Sequence, residues 1–193
     1  MKRLLIRGGG IAAGVGTPVS YASMISGELA KDGIEVVNRS RKGETSFDAL
    51  RTYLDDIEPL RPDMLLLHFG VDDMYHPVYR SEFKENLVQL IRLARERFDP
   101  RILLLTSQTF SEPSVMDAAS IYYRAIREVS MDLRCGYIAV HLWWMSYLAS
   151  GSGDAGALFD ECETYPNEKG HGIIASAVVQ KIRRLSILSE SSQ

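Results

Sequence analysis

The chain of 193 residues carries a formal net charge of −3 and is 46% hydrophobic, which is enough apolar material for one core of ordinary size. Lysine and arginine are scattered along the sequence, so no basic stripe indicates binding to nucleic acid, and no apolar run approaches the length of a membrane span. The two cysteines suggest no disulfide framework and favour a reducing, cytoplasmic location.

Short apolar runs alternate with longer amphipathic ones, a pattern typical of a parallel sheet covered by helices on both faces. The apolar runs predict five strands, over residues 3–6, 35–37, 64–68, 102–106 and 137–140. The amphipathic segments predict five helices, over residues 19–31, 47–57, 82–97, 115–133 and 167–185, with Ser46 and Ser81 as N-caps of the second and third. We expect a three-layer α/β/α domain over residues 1–187, flavodoxin-like with a five-stranded parallel sheet, and a flexible tail over 188–193.

Four segments carry a pattern of glycines and polar residues, three of them directly after predicted strands. The first strand runs into three glycines at positions 8–10, the second is followed by Gly43, and the third by Phe-Gly-Val-Asp-Asp at 69–73. Residues 162–171 read Cys-Glu-Thr-Tyr-Pro-Asn-Glu-Lys-Gly-His. In order and spacing these segments resemble the four sequence blocks of the SGNH, or GDSL-type, hydrolases, over most of the chain.

The resemblance implies an esterase fold whose catalytic framework is altered. Gly43 corresponds to the glycine whose backbone N–H helps to form the family's oxyanion hole. The other matched positions differ in residue type: Gly9 replaces Asp, Gly10 the serine nucleophile, Asp72 an Asn of the oxyanion hole, Cys162 the triad Asp and Tyr165 the triad His.

These differences remove the groups that an acyl-enzyme mechanism requires. Gly10 has no side chain to attack an ester, and the Tyr165 phenol, with an unperturbed pKa near ~10, is a poor base at neutral pH. An ionised Asp72 only accepts hydrogen bonds, whereas a developing oxyanion needs donors. We therefore predict a non-hydrolytic pseudoenzyme that binds a small ligand or a protein partner, with no cofactor or assigned metal site, in a crevice formed by Gly10, Gly43, Asp72, Ser107 and Tyr165.

A second interpretation keeps catalysis in the same crevice. Asp72, His76, Tyr165 and Cys162 could supply acid/base or acyl-transfer chemistry if an environment of low polarity shifted their pKa values. The acids at positions 160, 161 and 163 would add negative charge that suits a cationic ligand or a divalent ion. Asp73, His68, His141 and His171 are predicted to be structural.

A third interpretation begins from the same glycines. Gly10, Gly14 and Gly16 after a first strand, with Arg39 after the second, resemble the NADP-binding start of a short-chain dehydrogenase. Tyr165 and Lys169 copy the spacing of that family's catalytic pair. Against this interpretation, Pro166 lies between the two at a predicted helix start, whereas the dehydrogenase pair lies inside a helix.

Overall fold

The computed structural model describes residues 1–76, 78–151, 154–160 and 164–190, with side chains given as far as residue 185. The strands are β1 (Lys2–Gly8), β2 (Ile34–Asn38), β3 (Met64–His68), β4 (Arg101–Leu105) and β5 (Gly136–Ile138). The helices are α1 (Gly10–Ala13), α2 (Tyr21–Ala30), α3 (Ser46–Arg51), α4 (Tyr53–Asp56), α5 (Val71–Tyr75), α6 (Arg80–Arg97), α7 (Pro113–Asp132), α8 (Val140–Ala149) and α9 (Glu168–Glu190).

The five strands form one parallel sheet in the order β2-β1-β3-β4-β5. Because side chains alternate along a strand, Leu4 and Ile6 pack with one buried cluster, which includes Ile25 of α2 and Val178 of α9. Leu5 packs with a second cluster that contains residues of α3, α6 and α7. Helices therefore cover both faces, and the predicted three-layer α/β/α fold with a five-stranded parallel sheet is confirmed.

Several predicted boundaries were wrong. The helix predicted over 47–57 breaks at Thr52 into α3 and α4, and its N-cap is Thr45, whose hydroxyl accepts the Asp48 N–H. Ser81 lies inside α6 and not before it. The strand predicted over 137–140 ends at Ile138, and the next residues begin α8, which was not predicted.

The C-terminal helix is longer than predicted. α9 continues to Glu190, so the predicted flexible tail over 188–193 is helical for its first three positions, and residues 191–193 lie outside the described residues. Within the described part of the chain, none of the helices combines the length and the apolar composition that crossing a membrane requires.

Candidate active site

The carboxyl end of β1 leads directly into Gly10, the first residue of α1, and the ring of Tyr165 lies against it. A Cβ atom built on Gly10 would lie 2.6 Å from Tyr165 Cε1 and 2.9 Å from its hydroxyl oxygen. The backbone of Tyr165 is held by Asp160, since Asp160 N–H donates to the Tyr165 carbonyl (2.9 Å) and Tyr165 N–H donates to the Asp160 carboxylate (3.3 Å). The phenol therefore occupies the space that a side chain at position 10 would need.

Asp72 lies in the first turn of α5 and turns its carboxylate towards the backbone after β1. Its Oδ2 accepts a hydrogen bond from Gly10 N–H at 2.8 Å, and the backbone N–H of Gly43 lies close enough to favour the charged form of this carboxylate. Burial raises the pKa of Asp72, while the backbone N–H groups of Gly10 and Gly43 oppose that rise. A Cβ atom on Gly9 would lie only 2.0 Å from Asp72 Oδ2, so the carboxylate takes space that a side chain at position 9 would fill.

Gly43 is positioned by a buried ion-pair network centred on Arg7 of β1. The guanidinium of Arg7 is fully buried and makes two hydrogen bonds to the Glu44 carboxylate, at 2.6 and 2.7 Å, and another to the Arg39 carbonyl. Arg41 binds Asp56 on the same side, with two bonds of 2.7 Å. These contacts fix the loop between β2 and α3, in which Gly43 has a left-handed φ of 73°.

The Arg7 network was not predicted from the sequence. The available signal was an arginine at the end of a strand whose preceding three residues are all apolar and buried. A charge in that position must find partners or remain solvated, but the sequence does not indicate which acids, 37 and 49 positions further along the chain, supply them.

Asp73 and His76 differ in burial and in their contacts. Asp73 is fully buried and accepts hydrogen bonds from Ser46 N–H (2.8 Å), Ser46 Oγ (2.6 Å) and Gly70 N–H (2.9 Å), which supports the predicted structural role. His76 is exposed at the end of α5, with Nδ1 3.2 Å from the Asp72 carbonyl. Its Cε1 would lie 4.0 Å from a Cβ on Gly43, so His76 stands at the rim of the crevice.

Ser107 does not line the crevice openly, because it is only 1% exposed. Its hydroxyl lies 2.9 Å from His68 Nε2, and His68 Nδ1 lies 3.1 Å from the Tyr21 hydroxyl. The Ser107–His68 pair has the spacing of a nucleophile and its base. However, burial lowers the pKa of His68 to about 3, so the imidazole is a weak base and the hydroxyl has no open approach.

The remaining candidates fall into three groups. Gly10, Gly43, Asp72, His76 and Tyr165 lie together at the carboxyl ends of the strands. Cys162, with Glu161 and Glu163, lies outside the described residues. His171 is buried beneath the site, where its Nδ1 accepts Tyr21 N–H at 3.0 Å. Among the described residues, no group of three or more His, Cys, Asp or Glu side chains is arranged to hold a metal ion.

The strand order is that of an open, flavodoxin-like α/β sheet, and the crevice lies at the carboxyl ends of its strands. Residues 7–173 match the GDSL-like Lipase/Acylhydrolase family, and the chain belongs to that family, as the resemblance predicted. The acetylxylan esterase Axe2 from Geobacillus stearothermophilus is 20% identical, with a TM-score of 0.82 over 94% of each chain. LAE5, an alpha/beta hydrolase from the metagenome of Lake Arreo, Spain, is also 20% identical, with a TM-score of 0.82 over 93% of this chain and 94% of its own. No curated protein matches the chain.

The dehydrogenase interpretation finds no support in this geometry. The sheet order β2-β1-β3-β4-β5 differs from the 3-2-1-4-5-6 order of dinucleotide-binding folds. Tyr165 precedes α9, whereas Lys169 lies inside it, so the two do not share a helix as that family's catalytic pair does.

Proposed function

We propose that this member of the GDSL-like family does not hydrolyse esters through a serine nucleophile, and that its crevice binds a small ligand or a partner. The observation that carries the proposal is the Asp72 carboxylate, which accepts a hydrogen bond from Gly10 N–H at 2.8 Å and whose charged form is favoured by the nearby Gly43 N–H. By resemblance, position 72 and the Gly43 N–H belong to an oxyanion hole. A negative group of the protein itself occupies the place of the negative charge that a transition state would develop there.

The energetic consequence is large. Removing a single oxyanion-hole donor typically slows acyl transfer by roughly a hundred- to a thousandfold. Here a charged acceptor, already bonded to Gly10 N–H, replaces the donor that the family's Asn would supply. An oxyanion near an ionised Asp72 would be repelled, in a site where burial weakens solvent screening.

The nucleophile and base are also unreplaced among the described residues around Gly10. Tyr165 fills the space beside that glycine, and burial together with the negative charge of Asp72 raises its pKa above the usual value for a phenol, so it remains protonated at neutral pH. The enclosed Ser107–His68 pair has the right spacing but a base with a pKa of about 3.

The charge of the crevice indicates which ligands suit it. Asp72 and Asp160 both lie close enough to Tyr165 for their negative charges to raise the pKa of its hydroxyl. A ligand with a cationic or strongly donating group would be complementary to these carboxylates, and the phenol offers one neutral donor. We further propose a cytoplasmic protein, which the low cysteine content supports.

Two measurements on the wild-type protein test this proposal together. We expect no turnover of p-nitrophenyl acetate or of acetylated xylo-oligosaccharides above the uncatalysed rate, and no serine labelling by a fluorophosphonate, with Axe2 as the positive control. Fragment screening by NMR should place cationic or donor-bearing hits on the amides around Gly10, Gly43 and Asp72. Stoichiometric labelling of a serine in the crevice would contradict the proposal.

A second candidate function is acid/base or acyl-transfer catalysis in the same crevice. The specific observation in its favour is the raised pKa of Asp72, which burial causes, because a carboxyl that remains protonated nearer to neutral pH can act as a general acid. It would be distinguished from simple binding by a turnover whose pH profile follows Asp72 and is abolished in Asp72→Asn. His76, Tyr165 and Cys162 are the further groups that this candidate would use.

A further inference from the structure

A second cavity lies beside the carboxyl end of β5, away from the crevice around Gly10. It has a volume of about 630 Å³ and is bounded by α7, by Tyr137 of β5 and by the start of α8. This volume falls within the range of small-molecule sites, roughly 300–1,000 Å³. None of the crevice residues Gly10, Gly43, Asp72 or Tyr165 contributes to its walls.

The charged side chains that line this cavity are all basic. Arg124 and Arg127 lie one turn apart on α7, and among the described residues no Asp or Glu borders the cavity with them. Neither arginine forms an ion pair in the described part of the chain, in contrast to Arg80, which binds Glu128 at 2.6 Å. In a chain whose net charge is −3, two uncompensated guanidinium groups around one cavity attract an anion.

His141 adds a directed donor to the same wall. Its Nδ1 lies 2.7 Å from Thr106 Oγ1, and its own backbone N–H donates to that oxygen at 3.4 Å. The hydroxyl proton has no other acceptor among the described residues, so Thr106 donates it to Nδ1 and the proton of the neutral ring resides on Nε2. Tyr123 stacks on the ring at 5.2 Å and holds its plane.

Part of the cavity wall is apolar. Met116 and Leu142 line it, and Leu142 is 55% exposed. Tyr137 also lines the cavity, and Arg127 is close enough to its hydroxyl to oppose the rise in pKa that burial causes. The first turn of α8, which has no side-chain cap, adds a weaker positive field at the same place.

We propose that this cavity is a binding site for a small organic anion, with a carboxylate or phosphate group held by Arg124, Arg127 and the Nε2–H of His141. The apolar part of the ligand would pack on Met116 and Leu142. Arginine forks suit both oxyanions because they donate parallel hydrogen bonds to two oxygens. The inference does not depend on the function proposed for the crevice, since the two places share no side chain.

The test uses phenyl phosphate and benzoate as probes, and phenol as the uncharged comparator. Titration of the full-length protein, followed by ¹H–¹⁵N NMR and by the His141 ring resonances at constant pH, should give saturable one-to-one binding of at least one anion. The shifts should fall on residues 116–127 and 139–142, and phenol should bind at least tenfold more weakly.

Arg124→Gln/Arg127→Gln should weaken anion binding at least tenfold, whereas Arg92→Gln should leave it unchanged, because Arg92 is an exposed arginine of α6 that forms no ion pair with the described residues. Because Arg124 and Arg127 are exposed, the double variant should keep the wild-type unfolding transition. If neither anion saturates, or if the double variant binds as tightly as the wild type, the proposed site is wrong. Preference for phosphate over carboxylate, or the reverse, identifies the head group of the ligand.

Discussion

The contact between Gly10 and Tyr165 can be tested by adding a single methyl group. Gly10 is not among the glycines with a positive φ, so its backbone suits alanine and the cost of Gly10→Ala is steric. The added Cβ would lie 2.6 Å from Tyr165 Cε1, 2.9 Å from its hydroxyl oxygen and 3.0 Å from Cζ. These are distances that non-bonded carbon atoms do not adopt, so the ring must move.

Two opposing effects set the expected change in the free energy of unfolding for Gly10→Ala. Overpacking a well-filled site costs roughly 1–3 kcal/mol, whereas glycine-to-alanine at a compatible backbone gains about 0.4–1 kcal/mol through the unfolded chain. We therefore expect Gly10→Ala to lower the free energy of unfolding by roughly 1–2 kcal/mol, or Tm by about 2–8 °C for a chain of this size. The exposed edge of Tyr165 allows the ring to swing outwards, which limits the cost.

A double-mutant cycle with Tyr165→Ala isolates the contact, using urea unfolding followed by circular dichroism. In the Tyr165→Ala background the same Gly10→Ala change should be neutral or stabilising, because the clashing atoms are gone. Gly172→Ala is the matched control: this glycine lies in α9 with no atom within 4 Å of an added Cβ, and the change should stabilise by about 0.5–1 kcal/mol. If Gly10→Ala is neutral in the wild type, or if the two changes are additive, Tyr165 does not occupy the space beside Gly10.

Three further results are expected. Gly10→Ser alone should not create esterase activity towards p-nitrophenyl acetate, because Asp72 still opposes an oxyanion. The variant that also carries Asp72→Asn, Cys162→Asp and Tyr165→His restores the nucleophile, the base, its partner and the oxyanion-hole donor. Activity from the single change would mean that another base is present. Burial raises the pKa of Asp72 in the folded chain. The stability of the wild type relative to Asp72→Asn should therefore fall as pH rises from about 4 through that pKa, and stay level above it. Urea unfolding between pH 4 and 8 measures this difference, and a relative stability that increases with pH would refute the reasoning. A crevice ligand should protect the amides of residues 8–17, 39–45, 70–76 and 164–165 from hydrogen exchange, and protection confined to α6 would place binding on the outer surface.

The fold could be predicted because each buried strand is a short apolar run between longer amphipathic segments. α8 escaped prediction for a physical reason: its apolar residues lie on several sides, with Trp144 fully buried but Leu142 and Met145 more than half exposed, so no one-sided stripe marks it. The break at Thr52 was also missed. That residue makes a tertiary contact, in which its hydroxyl accepts a hydrogen bond from Arg7 at 3.0 Å.

The location of the crevice could be predicted, but the direction of its side chains could not. The glycines and Asp72 follow predicted strands, and parallel strands bring their carboxyl ends to one edge of a sheet. Whether the Asp72 carboxylate points to solvent or to the Gly10 N–H depends on the position of α5 relative to β1, 62 residues earlier in the chain. Ser107 was predicted to line the crevice because it follows a strand, but its side chain lies beneath the crevice, bonded to His68.

The two departures from the family pattern at Gly9 and Asp72 are one structural change. A Cβ at position 9 would lie 2.0 Å from Asp72 Oδ2 and 2.7 Å from the Glu44 carbonyl oxygen, so a side chain there and this placement of the carboxylate exclude each other. The same carboxylate bonds to Gly10 N–H, while Tyr165 fills the volume next to that residue. A crevice that had merely lost its nucleophile would leave the Gly10 N–H facing an open space. Here a carboxylate accepts the Gly10 N–H and a phenol fills the space beside it, so the absence of side chains at positions 9 and 10 is coupled to the placement of Asp72 and Tyr165.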